Sequence, residues 1–172
     1  MQPMRAPSML PAVGVVLSLS LAAACGSSSS SGGGAPPTQP ANGAPIALQV
    51  VKFKAGAERD GTVDVKGYNF ADRTFAGYTV SVRYFDKAGA PIKVGVGTPF
   101  EADAAWTSMS GRDYACKPKS WCTFEIEMIE VPAATAKAEA AITTARALKA
   151  DGMNFEEQPF WESPKRMSDW PL

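Results

Sequence analysis

The 172-residue sequence predicts an all-β fold, either a sandwich or a barrel. Short segments in which apolar and polar residues alternate recur at intervals of about ten residues. Gly, Asp and Asn residues, which favour turns, lie between these segments. The alternation begins at Ile46, after a stretch of uncharged Ser, Gly and Pro residues. We therefore expect one folded domain over residues 46–162.

The first predicted strand changes phase along its length. Apolar residues occupy every second position from Ile46 to Val50, but Val51 and Phe53 then take the apolar positions. Such a change indicates a β-bulge or a strand that changes its partner. Residues 58–61, Glu-Arg-Asp-Gly, predict a turn after this strand.

Two further segments show the clearest strand patterns. In residues 78–85 the apolar positions that share one face are Tyr78, Val80, Val82 and Tyr84. Residues 86–89, Asp-Lys-Ala-Gly, predict a hairpin turn. The strand expected to return from it carries Ile92, Val94 and Val96. In residues 121–129 the positions expected to face the core are Cys122, Phe124, Ile126 and Met128.

The strand and turn residues carry a family resemblance. Residues 61–69 read Gly-x-Val-x-Val-x-Gly-x-Asn, and residues 80–89 read Val-x-Val-x-Tyr-Phe-Asp-x-x-Gly. This pattern resembles the FxLYD-type immunoglobulin-like domains of exported bacterial and archaeal proteins, over about residues 46–148. The resemblance implies an immunoglobulin-like β-sandwich. Because its motifs consist of strand and turn residues, it carries over no catalytic residue.

Residues 132–152 fit either a helix or a strand. Their Ala-rich composition, with Pro132 near the start and Gly152 beyond the end, is typical of a helix. Alternation over residues 138–144 favours a strand instead. We expect a strand, paired with 121–129, because an immunoglobulin-like sandwich requires a last strand. Beyond it, the aromatic residues expected to cap the sandwich are Phe155, Phe160 and Trp161, and residues 163–172 are expected to be loose.

The N-terminal residues resemble the signal peptide and lipobox of bacterial lipoproteins. Residues 9–24 are almost entirely apolar or small and too short to span a membrane. Ala22-Ala23-Ala24 precedes Cys25; Ala22 stands where lipoboxes have Leu, and the same residues satisfy the A-x-A site of ordinary signal peptidase. The small polar residues after Cys25 favour lipidation there. The resemblance implies a cell-envelope protein held in a membrane by acyl chains, with Gly26 favouring the outer membrane over the inner.

Residues 25–45 predict a disordered tether between the lipidated cysteine and the domain. From Gly26 to Pro45 the chain has no charged residue and consists largely of Ser, Gly and Pro. Such a segment cannot bury enough apolar surface to offset the entropy lost on ordering. The sequence therefore predicts a spacer that holds the domain away from the membrane.

Composition excludes several classes of function. The sequence contains no histidine, which removes Ser-His-Asp and Cys-His catalysis, HExxH zinc sites and histidine pH switches. Without residues 1–24, which include Arg5, 16 basic residues remain against 17 acidic ones. A near-neutral chain with no basic block has no electrostatic footprint for nucleic acid. We expect neither an enzyme nor a bound metal or cofactor.

The three cysteines comprise one candidate for lipidation and two candidates for a disulfide. If Cys25 carries lipid, Cys116 and Cys122 remain, and in an oxidising compartment two such residues form a disulfide. Their spacing lacks the C-x-x-C pattern of zinc and thioredoxin-like redox sites. We expect a structural bridge that fixes the loop leading to Trp121.

Four side chains are candidates for a binding surface: Trp106, Arg112, Trp121 and Trp161. Exposed tryptophans can stack on sugars, but large aromatic side chains more often pack in a core. Residues 104–114, expected as a loop, are the place for such a site. The first hypothesis is a protein-interaction or envelope-assembly module, and the alternative is a carbohydrate or cell-wall binding module. The acidic residues of the 121–130 segment lack the spacing of a calcium loop and are expected to be solvated.

Overall fold

The computed structural model describes residues 34–166 and 168–169. The predicted signal peptide, Cys25 and the first part of the predicted tether lie outside these residues. The described strands are β1 (Ile46–Lys54), β2 (Gly56–Asn69), β3 (Phe75–Phe85), β4 (Pro91–Ile92), β5 (Ala105–Ser110), β6 (Trp121–Val131), β7 (Lys137–Ala147) and β8 (Trp161–Glu162). A 3-10 helix covers Arg112–Tyr114. No helix within the described residues is long and apolar enough to cross a membrane.

The strands form two antiparallel sheets that pack together. One sheet has the order β1-β2-β6, and in the other β3 pairs with β4, β5 and β7, while β7 pairs with β8. Immunoglobulin-like sandwiches place their first, second and fifth strands in one sheet and the third, sixth and seventh in the other. The chain groups β1, β2 and β6 in one sheet and β3, β7 and β8 in the other in the same way. It differs at the fourth strand, because β4 and β5 pair with β3 in the second sheet, whereas the fourth strand of a constant-type immunoglobulin domain joins the first sheet. The all-β sandwich prediction is confirmed.

The core lies between the two sheets, as the alternation predicts. The inward face of β3 consists of Tyr78, Val80, Val82 and Tyr84, which are at most 3% exposed. From the other sheet, Val63, Val65 and Ile126 are equally buried. Of the three aromatic residues expected to cap the sandwich, Phe160 meets the buried Phe75 ring edge to face with centroids 5.0 Å apart and is itself 46% exposed.

Two bulges change which residues reach the core. The predicted bulge in β1 lies at Val51: Val50 pairs with Val65 and Lys52 with Asp64, so Val51 has no partner and is exposed. The second bulge is in β6, and it makes the prediction for Met128 wrong. Met128 has φ 55 and lies on the surface, and Ile129 takes the buried position. A bulge inserts one residue and thereby shifts the alternation of those that follow.

The turn predicted at residues 58–61 is an excursion inside β2. Gly56 pairs with Val131 and Gly61 with Ile129, so β2 uses five positions where β6 uses two. The two glycines come so close that a methyl group on Gly56 would lie 2.3 Å from the Gly61 nitrogen. The chain therefore leaves the sheet and returns to it at one point, and the strand continues.

The strand preferred for residues 132–152 is confirmed as β7, but its expected pairing is wrong. β7 pairs along its length with β3, whereas β6 pairs with β2. β7 belongs to the other sheet, where its alternating small residues lie beside the valines of β3, while β6 is the outer strand of its own sheet.

Residues 90–114 also differ from expectation. The returning strand is only Pro91–Ile92, followed by a single bridge between Val94 and Ala102. Residues 105–110, expected as loop, form β5 on the free side of β3. Gly95 and Gly97 adopt positive φ, which turns the chain away before the returning strand can lengthen.

Two core tyrosines differ only in how their hydroxyls are satisfied. The Tyr78 hydroxyl oxygen lies 2.9 Å from the Phe75 carbonyl oxygen and 3.1 Å from that of Tyr114, and these two acceptors share its single hydrogen. The Tyr84 hydroxyl is buried with no hydrogen-bond partner among the described residues. Burial raises the pKa of both phenols, so both stay protonated at neutral pH.

We expect opposite results from removing these two hydroxyls. Tyr78→Phe takes the hydroxyl donor from the Tyr114 carbonyl, whereas the Phe75 carbonyl keeps the Cys116 amide at 2.8 Å, and it should lower the free energy of unfolding by about 1 kcal/mol. Tyr84→Phe removes a group that already lacks a partner, so the free energy of unfolding should stay the same or rise by up to about 1 kcal/mol. Urea denaturation of both variants measures the difference. Equal losses in both would show that the Tyr84 hydroxyl has a partner in solution.

Candidate functional site

An open groove of about 460 Å³ lies where the loop between β4 and β5 meets the bulge of β6. The side chains that give it its character are Arg59, Phe100, Trp106, Met128 and Glu130, and we call it the aromatic groove. Phe100 is 83% exposed, Met128 60% and Trp106 41%. Three large apolar side chains thus face solvent around one concavity.

The loop that presents Phe100 is fixed by its own hydrogen bonds. The Thr98 hydroxyl accepts from the Phe100 amide at 3.1 Å and donates to the Gly95 carbonyl at 2.7 Å. At Gly95, which has φ 61, a methyl group would lie 2.7 Å from the Phe100 oxygen. A side chain there would force the loop to move. The hydrogen bonds of the loop therefore hold Phe100 in its exposed position.

Glu130 ties this loop to the β6 bulge. Its carboxylate accepts the Gly95 amide hydrogen at 3.0 Å, and it lies two residues beyond Met128. Met128 itself is held in the left-handed region, which is uncommon for a residue with a side chain. Such backbone conformations cluster at binding sites, where the surrounding structure holds them. The groove is thus held in shape from both of its walls.

Trp106 contributes the third apolar side chain from the sheet itself. It lies on β5 opposite Ser81 of β3. Because the neighbours Val80 and Val82 face the core, this position is on the outer face of the second sheet. Of the four side chains expected at a binding surface, Trp106 is the one that lines the groove.

The other three expected site residues are elsewhere. Arg112 is exposed in the 3-10 helix. Trp161 is half-buried and packs against the core, opposite Ala145 on β7. Trp121 is half-buried on the first sheet, its indole nitrogen donating to the Gly34 carbonyl at 3.0 Å. The structure does not bring Trp106, Trp121 and Trp161 together as one stacking platform.

The expected disulfide is present. Cys116 and Cys122 are bridged, with their Cα atoms 5.2 Å apart. The bridge closes the loop that leads to Trp121, as predicted. The Trp121 ring packs against Tyr68 and lies under the Lys66 ammonium, 4.1 Å from its centroid. This corner of the molecule is braced and offers little open aromatic surface.

Acidic residues on the outer face of the first sheet form an ion pair instead of a metal site. Asp64 lies opposite Glu125, and the Lys52 ammonium is 3.0 Å from the Asp64 carboxylate. A hydrogen bond with Asp64 raises the pKa of the Glu125 carboxyl, and one with Lys52 lowers that of Asp64. Among the described residues no three His, Cys, Asp or Glu side chains converge to hold a metal ion.

Sequence reasoning missed most of the aromatic groove. Phe100 follows a Gly-x-Gly-Thr-Pro segment, and this glycine-rich spacing was the one local signal of a shaped loop. Met128 and Glu130 read as ordinary residues of an alternating strand.

Comparison with family models, with curated proteins and with solved structures finds no match to this chain.

Proposed function

We propose that this chain is an exported lipoprotein of the cell envelope whose β-sandwich is a non-catalytic protein-interaction module. The lipid would be carried by Cys25, after removal of residues 1–24, and the outer membrane is favoured by Gly26. The uncharged residues that follow would give the domain its reach from the membrane. These parts of the proposal rest on the sequence.

The aromatic groove carries the interaction part of the proposal. Aromatic residues, Met and Arg are enriched in protein interfaces, and a contiguous exposed apolar patch marks an interaction site more often than it marks ordinary surface. Phe100, Trp106 and Met128 are the exposed apolar side chains of the groove, and Arg59 lies at its rim. Because the loop is already fixed, a partner would bind without having to order it.

Support for a non-catalytic role comes from chemistry the chain lacks and from how its groove carboxylate is used. The sequence has no histidine to act as a general base at neutral pH. Glu130 is committed to the Gly95 amide, where it holds the loop in place. The groove therefore combines apolar anchors with a structural carboxylate.

The interaction is tested by crosslinking the intact lipoprotein in its membrane and identifying the captured protein. A double variant, Phe100→Ala with Trp106→Ala, should reduce capture of a specific partner at least tenfold. Val51→Ala is the matched control, because Val51 is also an exposed apolar residue but belongs to the first sheet. Circular dichroism confirms that each variant is folded. Equal capture by the double variant and the control would refute the groove as the binding surface.

Anchoring is tested separately by Cys25→Ser. We expect the variant to move from the membrane fraction to the soluble fraction, because it lacks the acyl chains that would attach the wild-type protein through Cys25. Mass spectrometry of the wild-type N-terminal peptide should show the lipid mass on Cys25, and Ser27→Ala serves as the control that keeps it. A Cys25→Ser protein that stays in the membrane fraction would contradict the lipoprotein proposal.

Carbohydrate binding is the second candidate function, and one observation favours it. Phe100 and Trp106 also border a polar cavity of about 460 Å³ that is lined by Lys93, Glu101 and Asp103. An aromatic face beside charged groups suits a sugar, which stacks on one side and hydrogen-bonds on the other. A glycan array and titration with peptidoglycan fragments decide it: binding that Trp106→Ala abolishes would favour this candidate over a protein partner.

A further inference from the structure

A second groove, of about 300 Å³, separates β1 from β7. Its walls are residues 40–48, which lead into β1, and residues 139–142 of β7. We call it the edge slot. It lies on the β7 side of the second sheet, whereas the aromatic groove lies on the β5 side, so the two are separate surfaces.

The two strands that border the edge slot, β1 and β7, are each paired on one side only over this stretch. β1 pairs with β2 and is the outer strand of its sheet. β7 pairs with β3 on one side, and on its other side β8 covers only Thr144 and Ala145. Within the described part of the chain, no strand pairs with the β8 side of residues 137–142. Main-chain donors and acceptors of β7 therefore face the slot unpaired.

The chain starts to fill this position and then leaves it. After β8, the Ser163 amide donates to the Thr143 carbonyl at 2.8 Å, which extends the ladder by one bond. The next residue is Pro164, which has no amide hydrogen to donate. The ladder stops there. The slot therefore lies next to a strand position that the chain itself occupies for two or three residues, on the other side of a β7 bulge at Thr143, where Thr79 pairs with Thr144 and Val80 with Ile142.

The inner side of the edge slot is apolar. It is formed by Ile46 and Leu48 from β1 and by Ala140 and Ile142 from β7. Ala140 pairs with Val82, so its side chain is on the core side of the sheet, and it is half-buried. Ile46 and Ile142 are 1% exposed, so an extended segment placed here would direct alternate side chains onto the half-buried Leu48 and Ala140.

We propose that the edge slot binds an extended segment of a partner protein, which adds a strand to β7 and completes the second sheet. This goes beyond the proposed function, since it assigns a second surface and a different mode of recognition. Main-chain hydrogen bonds to residues 137–142 would supply affinity, and alternate small apolar side chains would supply specificity. Six residues of β7 span about 20 Å, enough for a segment of similar length.

The charges at the edge slot define the segment further. Lys137 and Glu139 are the charged residues of this stretch, and they pair with each other at 2.6 Å. They therefore offer no net charge to attract a charged segment. We expect an uncharged segment with Val, Ala or Thr at alternate positions.

The probe for this proposal is an uncharged, acetylated and amidated peptide with the sequence Thr-Val-Thr-Val-Thr-Val-Thr, added to the mature lipoprotein in detergent micelles. Hydrogen exchange followed by NMR should show slot-facing amides within residues 137–142 slowed at least tenfold. Amides of β5, the opposite edge of the same sheet, should not change. The control peptide has Pro for its central Val, which removes a strand hydrogen bond, and it should give no protection.

A variant that fills the slot from within provides the second arm. Pro164→Val together with Arg166→Val removes the break after Ser163 and favours continuation of β8 along β7. In this variant residues 137–142 should be protected without peptide, and peptide affinity should fall at least tenfold. Wild-type exchange does not depend on whether this variant folds.

Three results would overturn the proposal. The first is equal protection by the proline control peptide, and the second is protection that appears on β5 as much as on β7. The third is protection of residues 137–142 that rises with protein concentration in the absence of peptide, because it would assign the edge slot to a second copy of this chain.

Discussion

Asn69→Ala should lower the free energy of unfolding by about 2–4 kcal/mol, the largest loss expected from a single polar substitution in this chain. Asn69 is the last residue of β2 and is fully buried. Its side-chain amide nitrogen lies within hydrogen-bond distance of the carbonyls of Arg73 (2.8 Å), Cys116 (3.0 Å) and Lys117 (3.0 Å), which share its two hydrogens. Its carbonyl oxygen accepts the Ala71 amide at 2.9 Å.

The size of the effect follows from what the substitution leaves behind. Alanine keeps the backbone bond from the residue 69 amide to the Ser120 carbonyl, at 3.0 Å, but removes the side-chain contacts. The Arg73 carbonyl and the Ala71 amide would then lose their partner, while the Cys116 carbonyl keeps the Phe75 amide at 3.1 Å and the Lys117 carbonyl keeps the Ser120 hydroxyl at 2.8 Å. Each buried group left unsatisfied costs about 1–3 kcal/mol. Urea denaturation followed by tryptophan fluorescence, in a Cys25→Ser background that removes the lipid, measures the loss.

A second substitution at this position gives the effect a pH signature. In Asn69→Asp the ionised side chain can only accept hydrogen bonds, and it would face carbonyl oxygens that also accept. Burial and these oxygens raise the folded-state pKa of this carboxyl above its unfolded value of about 4. The destabilisation should therefore be smallest below that pH and should grow as the pH rises through the folded-state pKa.

The matched control is Asn154→Ala. Asn154 also hydrogen-bonds through its side-chain nitrogen, to Asp151 at 2.8 Å, but it is exposed. Water replaces the lost partner at an exposed site, so the change should stay within about 0.5 kcal/mol. If Asn69→Ala and Asn154→Ala cost the same, the buried network does not hold the loops together.

The parts of the fold that the sequence predicts are those that depend on local alternation. The buried face of residues 78–85 and the β1 bulge at Val51 follow from period two and its interruption, because side chains of a strand alternate between faces. The preference for a strand over residues 132–152 was correct for the same reason. In each case neighbours along the chain are sufficient to decide.

Features that depend on distant partners are the ones that differ. The bulge at Met128 lies opposite Gly61–Val63 of β2, directly after the excursion at Gly56–Gly61, and no pattern within residues 121–131 contains information on that partner. β7 reads correctly as a strand, yet its choice of β3 over β6 is a property of the whole sandwich.

The candidate site follows the same rule. Trp106 can be selected from the sequence because large aromatic side chains are few. The aromatic groove, however, draws Arg59, Phe100 and Met128 from three segments that lie far apart in sequence. The sequence marks Asn69 only as a position of the 61–69 motif, since its four partners lie in two loops, one between β2 and β3 and one between the 3-10 helix and β6. Convergence of this kind is decided by tertiary packing.

Removal of the disulfide is the second large effect that we expect. Cys116 and Cys122 are six positions apart, and a bridge across so short a loop contributes about 2 kcal/mol through the entropy of the unfolded chain. The double variant Cys116→Ala with Cys122→Ala should lose this amount together with part of the packing of Cys116, which is fully buried. Alanine is used because serine would bury an extra hydroxyl.

Reduction separates the bridge from the side chains. Wild-type protein unfolded and refolded with a thiol reductant should approach the stability of the double alanine variant, and the variant should not respond to reductant. Ser120→Ala is the matched control within the loop: its hydroxyl donates to the Lys117 carbonyl at 2.8 Å at an exposed position, so the loss should be below about 0.5 kcal/mol. Equal stability of wild type and double variant would contradict a structural role for the bridge.

The bridge and Asn69 should also be coupled, because they act on the same loop. Two of the carbonyls that Asn69 satisfies belong to Cys116 and Lys117, and the bridge holds that backbone in position. Once the bridge is removed, the loop can relax toward water, and its carbonyls lose less when Asn69 becomes alanine. The stability loss of the combined variant should therefore be about 1 kcal/mol smaller than the sum of the losses from Asn69→Ala and from removal of the bridge, as measured in a double-mutant cycle. Strict additivity would mean that Asn69 and the disulfide stabilise the sandwich independently, despite sharing the residues between them.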